Sequence, residues 1–318
     1  MKEQYYCDYI LWKVLEQYSK GAVMAEEQRI QIGNIQWFPG HMTKTKRLIA
    51  ANLSLVDGVV SILDARIPMS SCNPDLTELV NSKPYMMLLN KADMADPSMT
   101  SQWVQYYRKQ GIPVLAIDCI SGKGTKQFTS VVREQLLKEL LAKRKQAGMT
   151  GRPVRLMIVG IPNVGKSSFI NKMAKSKLAK VEDRPGVTRT KQWVKIDEQM
   201  EFLDMPGVLA PRLDNQEAAV RLAFTGAIRD QILDTEALAM LLLEYLHEQY
   251  PDSLKVRYKL ETDETQGDKL LEVVGRKRGM LLSGGVIDTE RAAATVLDDF
   301  RAAKLGRITL ERPEENAL

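Results

Sequence analysis

The sequence predicts an α/β protein in which a doubly wound, mostly parallel sheet is followed by a smaller all-α domain. Short, nearly continuous apolar runs recur up to about residue 205, with helix-like stretches between them. Strands covered by helices on both faces of a parallel sheet have this composition, and the alternation is that of βαβ units. After about Pro211 only helix-like patterns follow. We therefore expect an N-terminal extension of unknown role at residues 1–30, a sheet domain at 31–210 and a helical domain at 211–318.

The apolar runs place the predicted strands in order along the chain. Four strands are expected at residues 58–63, 85–89, 113–117 and 154–159. Helices are expected between them, near residues 75–81, 98–110 and 125–145, and a polar connection at 143–153 leads to the fourth strand. Two more strands, at 192–196 and 200–203, are expected to pair as a hairpin. In the second domain, helices are expected at 216–229, 235–248 and 288–304.

The composition is that of a globular protein that does not span a membrane. Of the 318 residues, 44% are hydrophobic and 27% are charged, which is more apolar than a disordered chain. No apolar run approaches the roughly 20 residues that a membrane helix needs, and the first residues lack the pattern of a signal peptide. Three cysteines without metal-ligand spacing are typical of free thiols in a reducing compartment. We therefore expect a cytoplasmic protein.

The net charge of +5 is unevenly distributed. Residues 1–210 contain 30 Lys and Arg against 20 Asp and Glu (+10), whereas residues 211–318 contain 15 against 20 (−5). Positive surfaces attract nucleic-acid phosphates, so the first domain is expected to contribute most to an RNA contact, although an ordinary solvated surface has a similar excess. In the acidic second domain, Arg276-Lys277-Arg278 is expected to be either an RNA-phosphate contact or a solvated loop.

A phosphate-binding loop follows the fourth predicted strand. Residues 160–167, Gly-Ile-Pro-Asn-Val-Gly-Lys-Ser, match the Gly-x4-Gly-Lys-Ser pattern and precede a helix-like stretch. The two glycines let the backbone curl, so that N–H groups at the start of the next helix face the phosphates. Lys166 would contact the β- and γ-phosphates, and the Ser167 hydroxyl would bind Mg²⁺. The residues expected to contact the nucleotide here are Asn163, Val164, Gly165, Lys166, Ser167 and Ser168.

A second phosphate-side element, Asp204-Met205-Pro206-Gly207, follows the sixth predicted strand. Asp204 is expected to hold Mg²⁺ through water, and the Gly207 N–H to contact the γ-phosphate. A threonine-containing loop at residues 183–190 lies between the two elements. Thr188 is expected to complete the Mg²⁺ shell, with Thr190 as the alternative.

The tetrad Asn90-Lys91-Ala92-Asp93, at the end of the second predicted strand, is expected to recognise guanine. The Asp93 carboxylate would accept hydrogen bonds from the N1–H and the exocyclic amino group of guanine. Adenine has neither donor at these positions and would leave the carboxylate unpaired, which a buried polar group tolerates poorly. Asn90 would brace the loop, and the Lys91 stem would lie over the base.

A base-supporting loop is expected after the third strand, at residues 119–123. Its sequence departs from the usual Ser-Ala-Lys, so either Cys119-Ile120 or Ser121-Gly122 is the equivalent. All these segments follow strands, and open α/β sheets bind ligands at the carboxyl ends of their strands. The tetrad precedes the phosphate loop, which reverses the usual order in GTP-binding proteins. The sequence therefore predicts a circularly permuted P-loop G-domain that binds GTP or GDP with Mg²⁺.

These motifs resemble those of the circularly permuted GTPases that act in ribosome biogenesis. The resemblance extends from about Ile35 to about Pro313. It rests on residues 37–42, 64–68, 90–93, 160–167, 183–188 and 204–207, and on 277–279, 283–285 and 306–308 in the second domain. It implies a GTPase that binds ribosomal RNA and the large ribosomal subunit precursor, is stimulated by that particle, and acts at a late maturation step. We expect a monomer off the ribosome.

The catalytic machinery departs from that of many GTPases. Val208 follows the Asp-x-x-Gly element and cannot orient a water molecule as glutamine does at that position. The resemblance therefore implies slow intrinsic hydrolysis of GTP. Lys166 is expected to take part in catalysis, and two other residues are candidates to replace the missing glutamine. Asn163 matches an asparagine that helps hold K⁺ against the phosphates in related GTPases. His41, in a Pro-Gly-His turn before a basic helix start, would be delivered to the γ-phosphate when RNA orders the segment; a structural or RNA-contacting imidazole is the alternative.

Two other functions fit parts of the sequence. An ATP-using P-loop kinase or ATPase would need a different base-binding loop, and the tetrad at 90–93 argues against it. An RNA-binding scaffold that holds guanine nucleotide with little hydrolysis is compatible with Val208. Competition between GTP and ATP tests the first, and turnover with and without ribosomal particles tests the second.

Overall fold

The computed structural model describes residues 39–80, 82–149, 151–174, 191–207, 216–228, 230 and 233–313, except for the side chains of residues 39–45 and 74–75. The described residues all belong to one compact unit. Several predictions lie outside the described residues: the extension at 1–30, the candidate threonines Thr188 and Thr190, and Val208. The predicted boundary near residue 210 also lies outside them.

Six strands of the described residues form one sheet in the order β3-β2-β1-β4-β6-β5. Their bounds are β1 Gly58–Asp64, β2 Tyr85–Asn90, β3 Val114–Ala116, β4 Val154–Val159, β5 Gln192–Asp197 and β6 Met200–Asp204. Neighbouring strands are parallel, except that β5 and β6 form the predicted antiparallel hairpin. The strand predictions are confirmed, although β3 is shorter than the predicted 113–117.

The sheet is built outward in two directions from its central pair, β1 and β4. On one side, β2 and β3 follow β1 in chain order. On the other, β6 lies next to β4 and β5 forms the edge, although β5 precedes β6 along the chain. All seven residues of β1 are buried, as expected for a strand with a helical layer on each face. The strand order reverses between β1 and β4, and open α/β sheets bind ligands at this point, beyond the carboxyl ends of the strands.

The helices of the sheet region are α1 Pro39–Asn52, α2 Pro74–Val80, α3 Pro97–Lys109, α4 Phe128–Val131, α5 Lys138–Gln146 and α6 Lys166–Ala174. The single helix predicted at 125–145 is wrong. A 3₁₀ turn precedes α4, and a π-helical turn at Val132–Leu136 separates α4 from α5. Val132 and Leu137 are both buried, and an α-helix would point residues five apart in directions about 140° apart. The Leu137 N–H bonds to the Val132 carbonyl instead, which brings both side chains to the core.

The C-terminal part is helical, as predicted, but contains more helix than the sequence pattern indicated. Its helices are α7 Gln216–Phe224, α8 Thr235–Gln249, α9 Pro251–Tyr258, α10 Gly267–Lys277 and α11 Thr289–Arg301. Helices α9 and α10 were not predicted. The Arg276-Lys277-Arg278 cluster is therefore the end of a helix and not a loop. Helix α7 stops before the predicted residue 229 because Gly226 adopts a left-handed φ of 74°.

The chain after α11 returns to the sheet region and bonds to it. The Ile308 N–H donates to the Met94 carbonyl, and the Leu310 N–H donates to the Arg66 carbonyl. The Trp103 indole donates to the Glu311 carbonyl at 3.1 Å. In the described part of the chain, no helix combines the length and the apolar character needed to cross a membrane.

Candidate nucleotide-binding site

The loop at residues 160–165 joins β4 to α6 at the switch point of the sheet. A Cβ on Gly160 would lie 2.5 Å from the Ile62 carbonyl oxygen of β1, so only glycine fits there. Gly165 has a φ of 93°, and a Cβ on it would lie 2.3 Å from the Asn90 amide nitrogen. Helix α6 begins directly afterwards at Lys166. The backbone N–H groups of its first turn thus have no partner within the helix, as a phosphate-binding site requires.

Lys166 and Asp204 form a buried pair of opposite charge beside this loop. Lys166 is 7% exposed and its ammonium donates to the Ile161 carbonyl at 3.2 Å. Burial lowers the Lys166 pKa to about 8, although Asp204 opposes the shift. Burial also raises the Asp204 pKa to about 6, against the opposing effect of Lys166. Both groups therefore lie in a pocket with little solvent, where electrostatic interactions with a ligand are strong.

The donor set on the phosphate side suits a hard cation such as Mg²⁺. One Asp204 carboxylate oxygen, Oδ1, is buried and has no hydrogen-bond partner among the described residues. Oxygen donors are the ligands that Mg²⁺ prefers, and it usually takes only one or two from the protein, with phosphates and water supplying the rest. No group of three or more His, Cys, Asp or Glu side chains arranged for a metal exists among the described residues.

Gly207 brings the Asp-x-x-Gly element against the phosphate loop. A Cβ on Gly207 would lie 3.0 Å from the Pro162 nitrogen and 3.1 Å from the Lys166 ammonium. Asp204 ends β6, which pairs in parallel with β4, the strand that leads into the loop. The two phosphate-side elements therefore lie side by side, as expected from the sheet.

The Asn90 side chain connects the tetrad to both neighbouring loops. It is 3% exposed. Its amide nitrogen donates to the Val164 carbonyl in the phosphate loop at 2.7 Å, and its amide oxygen accepts from the Cys119 N–H at 3.2 Å. Asn90 thus braces three chain segments that are far apart in sequence.

Lys91, which is partly buried, and Asp93 follow Asn90 in a turn. Lys91 has a φ of 61°, which is uncommon for a residue with a side chain. Its ammonium lies 3.0 Å from the Asp64 carboxylate at the end of β1. Burial alone would raise the Asp64 pKa, but Arg66 and Lys91 outweigh it and hold the pKa well below its usual value. The Asp93 side chain is exposed, so it is accessible to a ligand.

The base-side loop depends on Asp118, which the sequence analysis missed. Its carboxylate accepts from the Ile120 N–H at 2.7 Å and the Ser121 N–H at 3.2 Å. An aspartate directly before a Gly-rich turn is a known turn former, and this signal was present in the sequence. Cys119 is buried and its pKa is raised to about 12 by burial, so its thiol stays protonated. Ile120 is 77% exposed and Ser121 is also exposed.

The two proposed catalytic substitutes lie in different surroundings. Asn163 adopts a φ of 60°, and its amide nitrogen donates to the Gly226 carbonyl, beyond the end of α7, at 2.7 Å. The phosphate loop therefore touches the helical part of the chain directly. His41 lies in the first turn of α1 and not in a turn before it, because Pro39 begins the helix, a position that suits its fixed φ. The His41 side chain lies outside the described side chains.

The strand order, with the phosphate loop at its switch point and the tetrad on the neighbouring strand, defines the class: a circularly permuted P-loop GTPase. A protein family described as 50S ribosome-binding GTPase matches residues 155–267. Ribosome biogenesis GTPase A of Bacillus licheniformis is 46% identical over 281 residues, which cover 88% of this chain and 99% of that protein.

More distant relatives agree. Mitochondrial ribosome-associated GTPase 1 of Mus musculus is 33% identical over 87% of this chain and 90% of that protein. The crystal structure of GNP-bound YlqF from T. maritima matches with a TM-score of 0.58 and 29% identity, over 85% of this chain and 99% of that one. The chain belongs to the ribosome biogenesis GTPase A family.

Proposed function

We propose that this chain is a GTPase that binds the large ribosomal subunit precursor and couples GTP binding and hydrolysis to a late step of its maturation. The observation that carries the proposal is the Asn90 side chain, which bonds to the phosphate loop at Val164 and to the base-side loop at Cys119. One residue of the tetrad thus joins both halves of a single nucleotide pocket. The relatives' names supply the ribosomal context.

Guanine would be read by the tetrad. The exposed Asp93 carboxylate accepts from N1–H and the 2-amino group, while the Lys91 stem lies along the base and its ammonium stays paired with Asp64. Cys119 and Ser121 support the base from the loop that Asp118 shapes. The Cys119 contribution is indirect: its backbone N–H donates to the Asn90 amide oxygen and holds this loop against the tetrad.

The phosphates would occupy the loop between β4 and α6. Lys166, already short of solvent, gains the charge partner that its buried ammonium needs when the β- and γ-phosphates arrive. Ser167, Thr188 and Asp204 would hold Mg²⁺, with Asp204 acting through its unpaired oxygen. Mg²⁺, when bound, supplies neutralisation of phosphate charge. Val164, Gly165 and Ser168 would donate backbone N–H groups to the phosphates, and the Gly207 N–H would donate to the γ-phosphate.

Hydrolysis would depend on the ribosomal particle. The Val208 side chain cannot hydrogen-bond to a water molecule, so the attacking water has to be oriented by other groups. Asn163 is assigned a share in holding K⁺ against the phosphates, and His41 the role of a group brought to the γ-phosphate on the particle. The Asn163 contact with Gly226 gives the helical part a direct connection to this step.

The RNA contact of the helical part is assigned to the exposed end of α10. Arg276 and Lys277 are exposed there, beside a turn in which Leu281, Leu282 and Val286 are at least half exposed. Arg278 is less available, because its guanidinium lies 3.6 Å from Asp299 and over the Tyr258 ring. Exposed basic side chains suit RNA phosphates.

The proposal is tested by cosedimentation of the full chain with large-subunit precursors under GTP analogue, GDP and no nucleotide. We expect the chain to cosediment with the precursors only in the presence of the GTP analogue. Equal cosedimentation under all three conditions would contradict the proposal that GTP controls binding. The second candidate, a guanine-nucleotide-binding RNA scaffold, is favoured by Val208 alone. Turnover measured with and without the particles decides: a rate that the particles leave near zero would favour the scaffold. We further propose that the protein is cytoplasmic and monomeric off the ribosome.

A further inference from the structure

The segment after α11 hydrogen-bonds to the backbone of the loop that contains the tetrad. We name residues 307–311 the C-terminal strap and residues 91–96 the tetrad loop. The Arg307 guanidinium donates to the Ala95 carbonyl through Nε at 3.0 Å and to the Ala92 carbonyl through Nη2 at 2.8 Å. The Ile308 N–H donates to the Met94 carbonyl at 3.0 Å. Three carbonyls of one short loop therefore accept hydrogen bonds from two adjacent residues.

The strap is itself held firmly by the rest of the protein. The Thr309 hydroxyl accepts from the Asp96 N–H at 3.0 Å, and the Thr309 carbonyl accepts from the hydroxyls of Tyr250 at 2.9 Å and Tyr245 at 3.3 Å. The Glu311 carboxylate accepts from the backbone N–H groups of Met69 and Ser70. A segment fixed at so many points can impose its geometry on a loop that it touches.

The tetrad loop needs such a partner. It begins with Lys91 in a left-handed conformation, which a residue with a side chain adopts at a cost and keeps only when its surroundings enforce it. Asp93 lies between Ala92 and Met94, whose carbonyls are both bonded by the strap. Recognition of a base edge through two hydrogen bonds requires the carboxylate to be positioned within a few tenths of an ångström.

We propose that Arg307 is a positioning residue for guanine recognition: it fixes the backbone on both sides of Asp93 and so sets the direction of the Asp93 carboxylate. The inference rests on the proposed role of the tetrad. Arg307 does not contact the nucleotide itself; it acts through the Ala92 and Ala95 carbonyls. The guanidinium suits this role because its planar fork reaches two carbonyls at once, which a lysine ammonium on its flexible stem does less well.

The test uses the full chain with Mg²⁺ and compares calorimetric affinities for GDP and for inosine diphosphate, which lacks the 2-amino group. Arg307→Ala should lower the preference for GDP over inosine diphosphate by about tenfold, as expected for the loss of about one net hydrogen bond. Arg307→Lys should lie between Arg307→Ala and the wild type. Arg312→Ala is the matched control, because Arg312 is an exposed arginine close by in sequence that donates to Gln249 on α8; its preference should stay at the wild-type value.

The outcomes separate the possible roles of Arg307. Equal weakening of both nucleotides, or an unchanged preference in a folded variant, would overturn the proposal and leave Arg307 with a structural role only. If Arg307→Ala does not fold, an unchanged preference in Arg307→Lys overturns it in the same way. Asp93→Asn is included as a separate arm. If Asp93→Asn keeps the wild-type preference for GDP, the assignment of the tetrad itself fails, whatever the Arg307 variants show.

Discussion

The phosphate side and the base side of the site are built in different ways. Among the described residues, the phosphate side is mainly one continuous stretch, from β4 through the loop to Lys166 in α6; Asp204 at the end of the adjacent β6 and Gly207 just after it lie beside this stretch. The base side is assembled from the tetrad loop, the loop after β3 and the C-terminal strap. Asn90 is the side chain that joins the two sides.

The difference teaches where each property of the site is encoded. The geometry of a local motif is set by residues that are adjacent in sequence, so phosphate binding does not depend on the order of the strands along the chain. The base side depends on hydrogen bonds between distant segments, so its selectivity should be more sensitive to substitutions outside the motif. The predictions below separate the two sides.

The largest effect is expected from Asp93→Asn, which changes the base side alone. The amide can no longer accept from both guanine donors, so GDP should bind about 10³-fold more weakly, the equivalent of two hydrogen bonds to a charged group. Xanthosine diphosphate should bind more tightly than to the wild type, because its 2-carbonyl accepts from the new amide. Calorimetry with both nucleotides checks this, and an undiminished GDP affinity would contradict the base-side assignment.

A smaller loss of GDP affinity is expected from Asn90→Ala, which removes hydrogen bonds to both the phosphate side and the base side. The Val164 carbonyl and the Cys119 N–H lose their partner, so the free energy of unfolding should fall by about 2 kcal/mol and GDP affinity by about tenfold. Urea unfolding and calorimetry measure the two effects. Asn52→Ala is the control, since Asn52 is a buried asparagine that bonds to Leu48 and Lys191 outside the site. It should lower stability and leave GDP affinity unchanged; a parallel loss of affinity would show that the Asn90 effect is not local.

On the phosphate side, the titration of Asp204 should make the free energy of unfolding depend on pH when no nucleotide is bound. The Asp204 pKa is about 6 in the folded protein against 3.8 ordinarily, so its protonated form favours folding. This contribution is fully present below about pH 3.8 and is lost as the pH rises through 6, at a cost of about 3 kcal/mol. Asp204→Asn should remove that loss between pH 4 and 7. Urea unfolding at both pH values checks it, with Asp197→Asn, at the exposed end of β5, as the control. An unaltered pH profile in Asp204→Asn would contradict the account.

The smallest effect is expected from Cys119→Ala. The Cys119 backbone N–H, and not its thiol, bonds to Asn90, and the pKa of the buried thiol is about 12. GDP affinity should therefore change by less than about twofold, well below the effect of one hydrogen bond. A larger loss would mean that the thiol supports the base directly.

The parts of the fold that follow from local pattern were predictable from the sequence. The strands ending at Asp64, Asn90 and Val159 were correctly located, because each is a run of apolar residues long enough to be recognised. The π turn before Leu137 was missed because it is imposed by packing on the sheet and has no local signature. Helices α9 and α10 were overlooked although their buried residues have helical spacing, Leu254 and Tyr258 in α9 and Leu270, Leu271 and Val274 in α10.

The site follows the same division. The phosphate loop and the tetrad are recognisable from residue types alone, whereas Asp118 acts through the shape of a turn and Arg307 through a contact with a loop more than 200 residues earlier. Nothing in the residues around Arg307 indicates which carbonyls it bonds to. Long-range contacts of this kind depend on how the helical part packs on the sheet region, and that packing is set by many residues at once.

The central claim is that the tetrad and the phosphate loop, although reversed in sequence, form one pocket selective for guanine. Calorimetric titration of the wild-type chain with GDP and with ADP, in the presence of Mg²⁺, tests it most directly. We expect GDP to bind at least about 10³-fold more tightly than ADP, because adenine leaves Asp93 unpaired. Comparable affinities for the two nucleotides would contradict the claim.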